Sequence, residues 1–101
     1  TVSEAGKILM NADTAEMVAL QALGWLAADE DLWPAFLGMT GAATEDAAGR
    51  IGDPAFLASV LDFVTLDDAR VVAFCDFADL AYDLPLRARH ALPGAERVEW
   101  T

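Results

Sequence analysis

Residues 53–66 read DPAFLASVLDFVTL, and this stretch decides the fold. Asp53 followed by Pro54 is a helix-start pattern, because aspartate caps a helix well and proline loses nothing in a first turn. The twelve residues after Pro54 are apolar nearly all round a helix, and Asp62 is the charged residue among them. The pattern predicts a central buried helix over 55–66.

Similar start and stop signals divide the rest of the chain. Asp13 and Glu16 have the spacing of a capping box, Gly41 ends a helical pattern, and Thr44 opens a short one. Alanine, which has the highest helix propensity, is abundant. We predict a compact all-α domain of five or six helices, the other five over about 14–28, 32–39, 44–52, 67–78 and 84–91. A single domain over 13–94 lies between a flexible N-terminal tail, 1–12, and a C-terminal tail, 95–101.

Two parts of the sequence share one pattern at a constant offset. LGWLAADEDLWPAF begins at Leu23 and LDFVTLDDARVVAF begins at Leu61, and at the same offset Asp29 is matched by Asp67. Each copy predicts a helix, an acidic corner and a second helix. We therefore expect two similar helical hairpins that close around the central apolar helix, each followed by a short third helix acting as a lid. The competing interpretation is coincidence in a chain rich in Ala and Asp.

Charge and cysteine content exclude several classes of function. The chain has 17 Asp and Glu against six Lys and Arg, for a formal net charge of −11. This balance disfavours binding to nucleic acid or to anionic membranes, which require a cationic face. No stretch reaches the length of a membrane span. A single cysteine forms no internal disulfide, so we expect a cytoplasmic protein.

Recognisable catalytic chemistry is absent from the sequence. It contains no GxSxG, P-loop or GxGxxG motif, and one His with one Cys does not make a zinc site. The acidic clusters at 29–31 and 67–68 lack the spacing of a calcium loop and fit helix capping instead. Cys75 follows Phe74 on an apolar pattern and is expected to fill the core. We predict a protein that is not an enzyme and has no metal or cofactor.

Two sets of residues stand out as candidate sites. Trp33, beside Pro34 on a first turn, and Phe36 are the candidate interaction surface, since aromatic residues concentrate at interface centres. Asp62 must reach solvent or find a partner, because burying an unpaired charge is costly. One hypothesis is a partly buried ion pair of Asp62 with Arg87 or Arg89. The other places Asp62 on a narrow solvent-exposed stripe.

The segments LQALGWLAADEDLWPAFLGMTG, GDPAFLASVLDFV and RARHALPG resemble the domain-of-unknown-function family numbered 3572, over about 14–94. At 79–82 the chain has DLAY, less rich in Gly than the turn that the family shows there. The resemblance implies a small, uncharacterised alphaproteobacterial protein with a helical fold, and it brings no catalytic residue.

Function is predicted from the apolar content and the charge. We predict a non-enzymatic protein-protein interaction module, binding an unidentified protein or itself as a homodimer. The alternative is a helical pocket for a small molecule or lipid, lined by the apolar helix 55–66. An acidic mimic of phosphate is a third hypothesis, supported by the net charge alone.

Overall fold

The computed structural model describes residues 11–92, which form six α-helices and no strand. The all-α prediction with five or six helices is confirmed. The helices are α1 (Ala12–Ala27), α2 (Leu32–Thr40), α3 (Thr44–Gly49), α4 (Pro54–Thr65), α5 (Asp68–Ala78) and α6 (Leu84–Ala91). The predicted tails lie outside the described residues, except Asn11 and Ala12, which belong to the start of α1.

Helix α4 is the centre of the core, as its sequence predicts. It packs against α1, α2, α5 and α6. Seven of its twelve residues are buried: Phe56, Leu57, Ala58, Val60, Leu61, Phe63 and Val64. Helix α1 contacts both α4 and α6, and its buried face contains three fully buried alanines, Ala15, Ala19 and Ala22. These small side chains allow neighbouring helix backbones to approach closely.

Two helix boundaries differ from the predicted ones by more than one residue. Helix α1 begins at Ala12, because Asn11 is the cap and its Oδ1 accepts a hydrogen bond from Thr14 N at 2.8 Å. Asparagine caps as well as aspartate does, so the helix starts earlier than the prediction from Asp13. Helix α3 ends at Gly49 rather than near Gly52, and glycine is a poor helix former.

The sequence offset between the two hairpins is kept at the ends of their helices but not at the starts, since α2 begins at Leu32 and α5 at Asp68. The first helices of the hairpins, α1 and α4, end at Ala27 and Thr65, and the residues that follow the second helices, α2 and α5, are Gly41 and Asp79. Both intervals equal the one from Leu23 to Leu61 in the sequence pattern. Gly41 and Asp79 both take the left-handed conformation, with φ of 75° and 60°. The helix ends therefore repeat together with the sequence.

The acidic corner of each hairpin places a carboxylate near the start of its second helix: Asp67 is the cap residue of α5, and Asp29 lies two residues before Asp31, the cap residue of α2. Asp29 Oδ1 accepts hydrogen bonds from the backbone N–H groups of Asp31 at 2.8 Å and Leu32 at 2.9 Å, and Asp67 Oδ1 accepts one from the backbone N–H of Ala69 at 2.9 Å. Each carboxylate thus satisfies a backbone donor that the start of a helix leaves free. The assignment of these acidic residues to helix capping is supported by these contacts.

The hairpins also contact each other in a reciprocal way. Trp25 of the first hairpin packs on Phe74 of the second, with ring centroids 5.6 Å apart. Phe63, which corresponds to Trp25, packs on Phe36, which corresponds to Phe74, at the same centroid separation. Each hairpin therefore places an aromatic ring of its first helix against the buried phenylalanine of the other hairpin's second helix. The shared core is built by this exchange.

The two short helices that follow the hairpins are not equivalent lids, which corrects the expectation. Helix α6 packs against both α1 and α4, whereas α3 makes few contacts with the other helices. The physical reason is the apolar area that each can bury. Helix α6 and its cap bury Pro85, Ala88 and Leu92, whereas α3 buries only Ala47.

Candidate interaction surface

Helix α2 is apolar, and four of its nine residues are exposed. Its sequence, LWPAFLGMT, has no charged residue, yet Phe36 is the one fully buried side chain among the nine. Met39 keeps 47% of its surface exposed, and Pro34, Ala35 and Gly38 are exposed as well. These four residues occupy one side of the helix at helical spacing, and they are called the α2 surface below. A helix of this composition usually buries more of its circumference.

The two residues predicted to form an interaction surface have different environments. Phe36 is completely buried and packs edge-on against Phe56 and Phe63, so its assignment to a surface is wrong. Phe36 lies on the side of α2 that packs against α4, where its ring contacts the rings of Phe56 and Phe63. Trp33 is half-buried at the margin of the α2 surface, with its ring stacked on Phe36 and its Nε1 donating to Thr44 Oγ1 at 3.2 Å.

Helix α5 exposes the face that corresponds to the α2 surface in the sequence repeat. Val72 and Phe77 are both exposed, Phe77 over 70% of its surface, and Ala73 and Asp76 lie between them. These four residues are called the α5 surface. The apolar pattern of the sequence includes Val72 and Phe77 without distinguishing them from the core positions. What distinguishes Val72 and Phe77 from the core positions is their direction around the helix. At 100° per residue, neither side chain points in the direction shared by the buried Phe74 and Cys75.

The charges on α5 are distributed unequally between its two sides. Asp76 accepts a hydrogen bond from the hydroxyl of Tyr82 at 2.7 Å, and this bond together with the charge of Asp76 raises the pKa of Tyr82. Arg70 turns inward: its Nη1 donates to the backbone oxygen of Phe63 at 2.9 Å, and its guanidinium lies 4.0 Å from the centre of the Phe63 ring. Since Arg70 is directed toward Phe63, the charged groups that α5 exposes to solvent are the carboxylates of Asp68 and Asp76.

Asp62 is both partly exposed and paired. Arg89 Nε lies 2.5 Å from Asp62 Oδ1, joining α6 to α4. The Asp62 side chain is 49% exposed and that of Arg89 only 12%. Arg89 Nη1 is buried and has no hydrogen-bond partner within residues 11–92. Arg87, the other candidate partner, is 3.4 Å from Asp83 on its own helix instead.

An open groove of about 360 Å³ borders the α2 surface. It is lined by Met39, Thr40, Arg50, Asp53, Ala55, Phe56 and Ser59. Helix α4 contributes only its first turns to this groove, because its other apolar residues pack against neighbouring helices.

The remaining reactive side chains serve the packing. Cys75 is buried, its thiol lies 3.4 Å from the Ala81 carbonyl oxygen, and burial raises the pKa of the thiol, with smaller effects from Asp76 and Asp83. Across the described residues, no group of three or more His, Cys, Asp or Glu could hold a metal ion. In the same part of the chain, every helix is too short or too polar to cross a membrane.

Comparison with known proteins identifies a family. The family model described as "Protein of unknown function (DUF3572)" matches residues 12–95, which confirms the resemblance found in the sequence. Neither the search of curated proteins nor the search of solved structures finds a match. The match covers all six helices of the structure.

Proposed function

The chain belongs to the DUF3572 family, and we propose that it is a non-enzymatic interaction module that binds a protein partner through the α2 surface. The observation that carries the proposal is the environment of α2, a helix without a charged residue that leaves Met39 and three neighbouring positions open to solvent. Neighbouring exposed apolar positions on one helix face, unlike single scattered ones, are a feature of interaction sites.

Trp33 is well suited to the margin of such a site. Its ring is already held by stacking on Phe36 and by the hydrogen bond to Thr44, so little side-chain entropy is lost when a partner covers it. Met39 is adaptable in shape, and methionine and tryptophan are both enriched in interface cores. The groove beside Met39 gives room for a side chain of the partner.

The alternative of a ligand pocket has weaker support. It requires the apolar residues of α4 to line a cavity, and seven of them are instead packed against other helices. The groove beside α2 is open and includes Arg50 and Asp53, so its wall is partly charged. These features favour a side-chain recess within a protein interface.

The proposal is tested by changing the exposed methionine. Met39→Asp places a charge on the largest side chain of the α2 surface, and Met17→Asp is the matched control, because Met17 is 64% exposed on α1. We expect the wild type and Met17→Asp to retain the same partner from an extract of the source cells, and Met39→Asp to lose it. Circular dichroism checks that all three are folded.

Light scattering on the same proteins identifies self-association. A wild-type dimer that Met39→Asp converts to a monomer would make a second copy the partner. Retention of the partner by Met39→Asp would contradict the assignment of the α2 surface.

A further inference from the structure

We propose that the α5 surface is a second docking site, and that its occupant is a cationic amphipathic helix of a protein partner. The inference rests on the proposed function as an interaction module, and it names the chemistry of a partner at a different face. Three features support this proposal: the exposed apolar side chains of α5, the channel between them, and the negative charge around that channel.

The apolar part of the site is large for a short helix. Phe77 and Val72 stand at the two edges of the outer side of α5, and Tyr82 is exposed with its hydroxyl fixed on Asp76. Ala69 and Ala73, both exposed and one turn apart, lie between the two larger side chains. Asp76 also lies between Val72 and Phe77, so the channel contains two alanines and one carboxylate, and it accepts the side-chain ridge of another helix that carries a cation.

The charge around this channel is negative. Asp68, Asp76 and Asp79 are exposed on or beside α5, and the one cation of the helix, Arg70, is directed toward Phe63. A second copy of the chain is therefore a poor occupant, since it would bring the same carboxylates into contact and carries a net charge of −11. A helix with Lys or Arg beside its apolar stripe matches both the carboxylates and the channel.

The comparison with α2 separates the two docking sites. At the positions of Asp76 and Phe77, the α2 surface has Gly38 and Met39, and the exposed carboxylates nearest to it in sequence, Glu30 and Asp31, come before the first turn of α2. The α2 and α5 surfaces occupy corresponding places in the two hairpins. They differ in that the α5 surface contains a carboxylate, Asp76, where the α2 surface has Gly38. Binding that depends on a cationic partner is thus expected at α5 and not at α2.

The test uses the full chain and a synthetic peptide of Leu and Lys, with Leu at i, i+3, i+4 and i+7 spacing. Phe77→Ser removes the exposed ring, with Leu86→Ser, at an exposed position on α6, as its matched control. Asp68→Asn with Asp76→Asn removes two charges, and Asp13→Asn with Asp31→Asn removes two exposed charges elsewhere. Affinity is measured by calorimetry, and folding by circular dichroism.

We expect Phe77→Ser to weaken peptide binding about tenfold and the α5 charge variant about fivefold. We expect the two controls to bind like the wild type, and a Leu and Glu peptide of the same pattern not to bind. Equal affinity of wild type and Phe77→Ser, or equal weakening by the two charge variants, would show unspecific attraction to an acidic protein and overturn the proposal.

Met39→Asp makes the two proposals distinguishable. It should leave peptide binding unchanged, because Met39 lies on a different helix from the four residues of the α5 surface. If the peptide does not recognise α5 while Met39→Asp still abolishes partner capture, the present inference fails and the interaction function stands. If the peptide binds at α5 while Met39→Asp leaves partner capture unaffected, the inference stands and the assignment of the α2 surface fails.

Discussion

Asp62 shows how one charged residue is accommodated on an otherwise apolar helix. The carboxylate reaches solvent on one side, which keeps its desolvation small, and on the other side it contacts Arg89, whose side chain is largely buried. The arginine depends more on the pair than the aspartate does, since one of its nitrogens already lacks a partner among the described residues. The contact therefore orients α6 on α4.

Removing the Asp62 carboxylate is expected to destabilise the protein. Asp62→Asn should lower the free energy of unfolding by about 1–2 kcal/mol, between the values for exposed and buried pairs, because Arg89 loses its charged partner. Asp83→Asn, which breaks the exposed pair with Arg87, should cost less than about 0.5 kcal/mol. Urea unfolding of both variants gives the comparison, and equal losses would contradict this account.

Tyr82 is the single tyrosine of the chain, so its titration is observable by absorbance. Its pKa is raised by Asp76, and Asp76→Asn should return the pKa toward the ordinary value. Because the folded-state pKa is the higher one, the stabilisation by this hydrogen bond is complete below the ordinary tyrosine pKa and is lost as the pH rises through the raised value. An unchanged titration in Asp76→Asn would show that the contact does not form.

At the scale of elements, the two second helices end in the same way with different residues. Glycine adopts the left-handed conformation without a steric penalty, whereas aspartate pays for its Cβ. Gly41 therefore adopts its φ of 75° without strain, whereas the backbone of Asp79 is strained at its φ of 60°. The sequence repeat places these two positions directly after corresponding helices.

Substitutions at Gly41 and Asp79 should change the free energy of unfolding in opposite directions. Gly41→Ala should lower the free energy of unfolding by about 1 kcal/mol, and Asp79→Gly should raise it by about 0.5–1 kcal/mol. No Cβ clash contributes at Gly41, since nothing lies within 4 Å of an added Cβ. Thermal unfolding measures both, and destabilisation by Asp79→Gly would indicate that the aspartate side chain makes a contact worth more than the strain.

At the scale of the whole molecule, aromatic packing between the hairpins stabilises the folded state, whereas the large negative net charge destabilises it. The pairs of Trp25 with Phe74 and of Phe63 with Phe36 tie each hairpin to the other, so neither hairpin buries its aromatic residues alone. The charge of −11 opposes compaction through repulsion among carboxylates.

Salt should therefore stabilise the protein. Raising NaCl from about 20 mM to about 200 mM shortens the screening length and should raise Tm by a few degrees. The double variant Asp68→Asn with Asp76→Asn should show a smaller increase, because it has less charge to screen. A decrease of Tm with salt would mean that attractive ion pairs outweigh the repulsion.

The sequence by itself determined the helices and their corners. Caps such as Asp53 and Asp67, the stop at Gly41 and the apolar circumference of 55–66 act over a few residues, and local steric and hydrogen-bonding preferences suffice to predict them. The internal repeat likewise predicted two hairpins, because similar local patterns fold into similar elements.

Only the tertiary structure decided which apolar residues are covered. Phe36 is buried while Met39 and Phe77 are exposed, although all three are large, apolar and helical. It also decided that Arg89 rather than Arg87 contacts Asp62, and that α6 rather than α3 joins the core. Burial depends on how helices distant in sequence are arranged in space, and local preferences do not encode that arrangement.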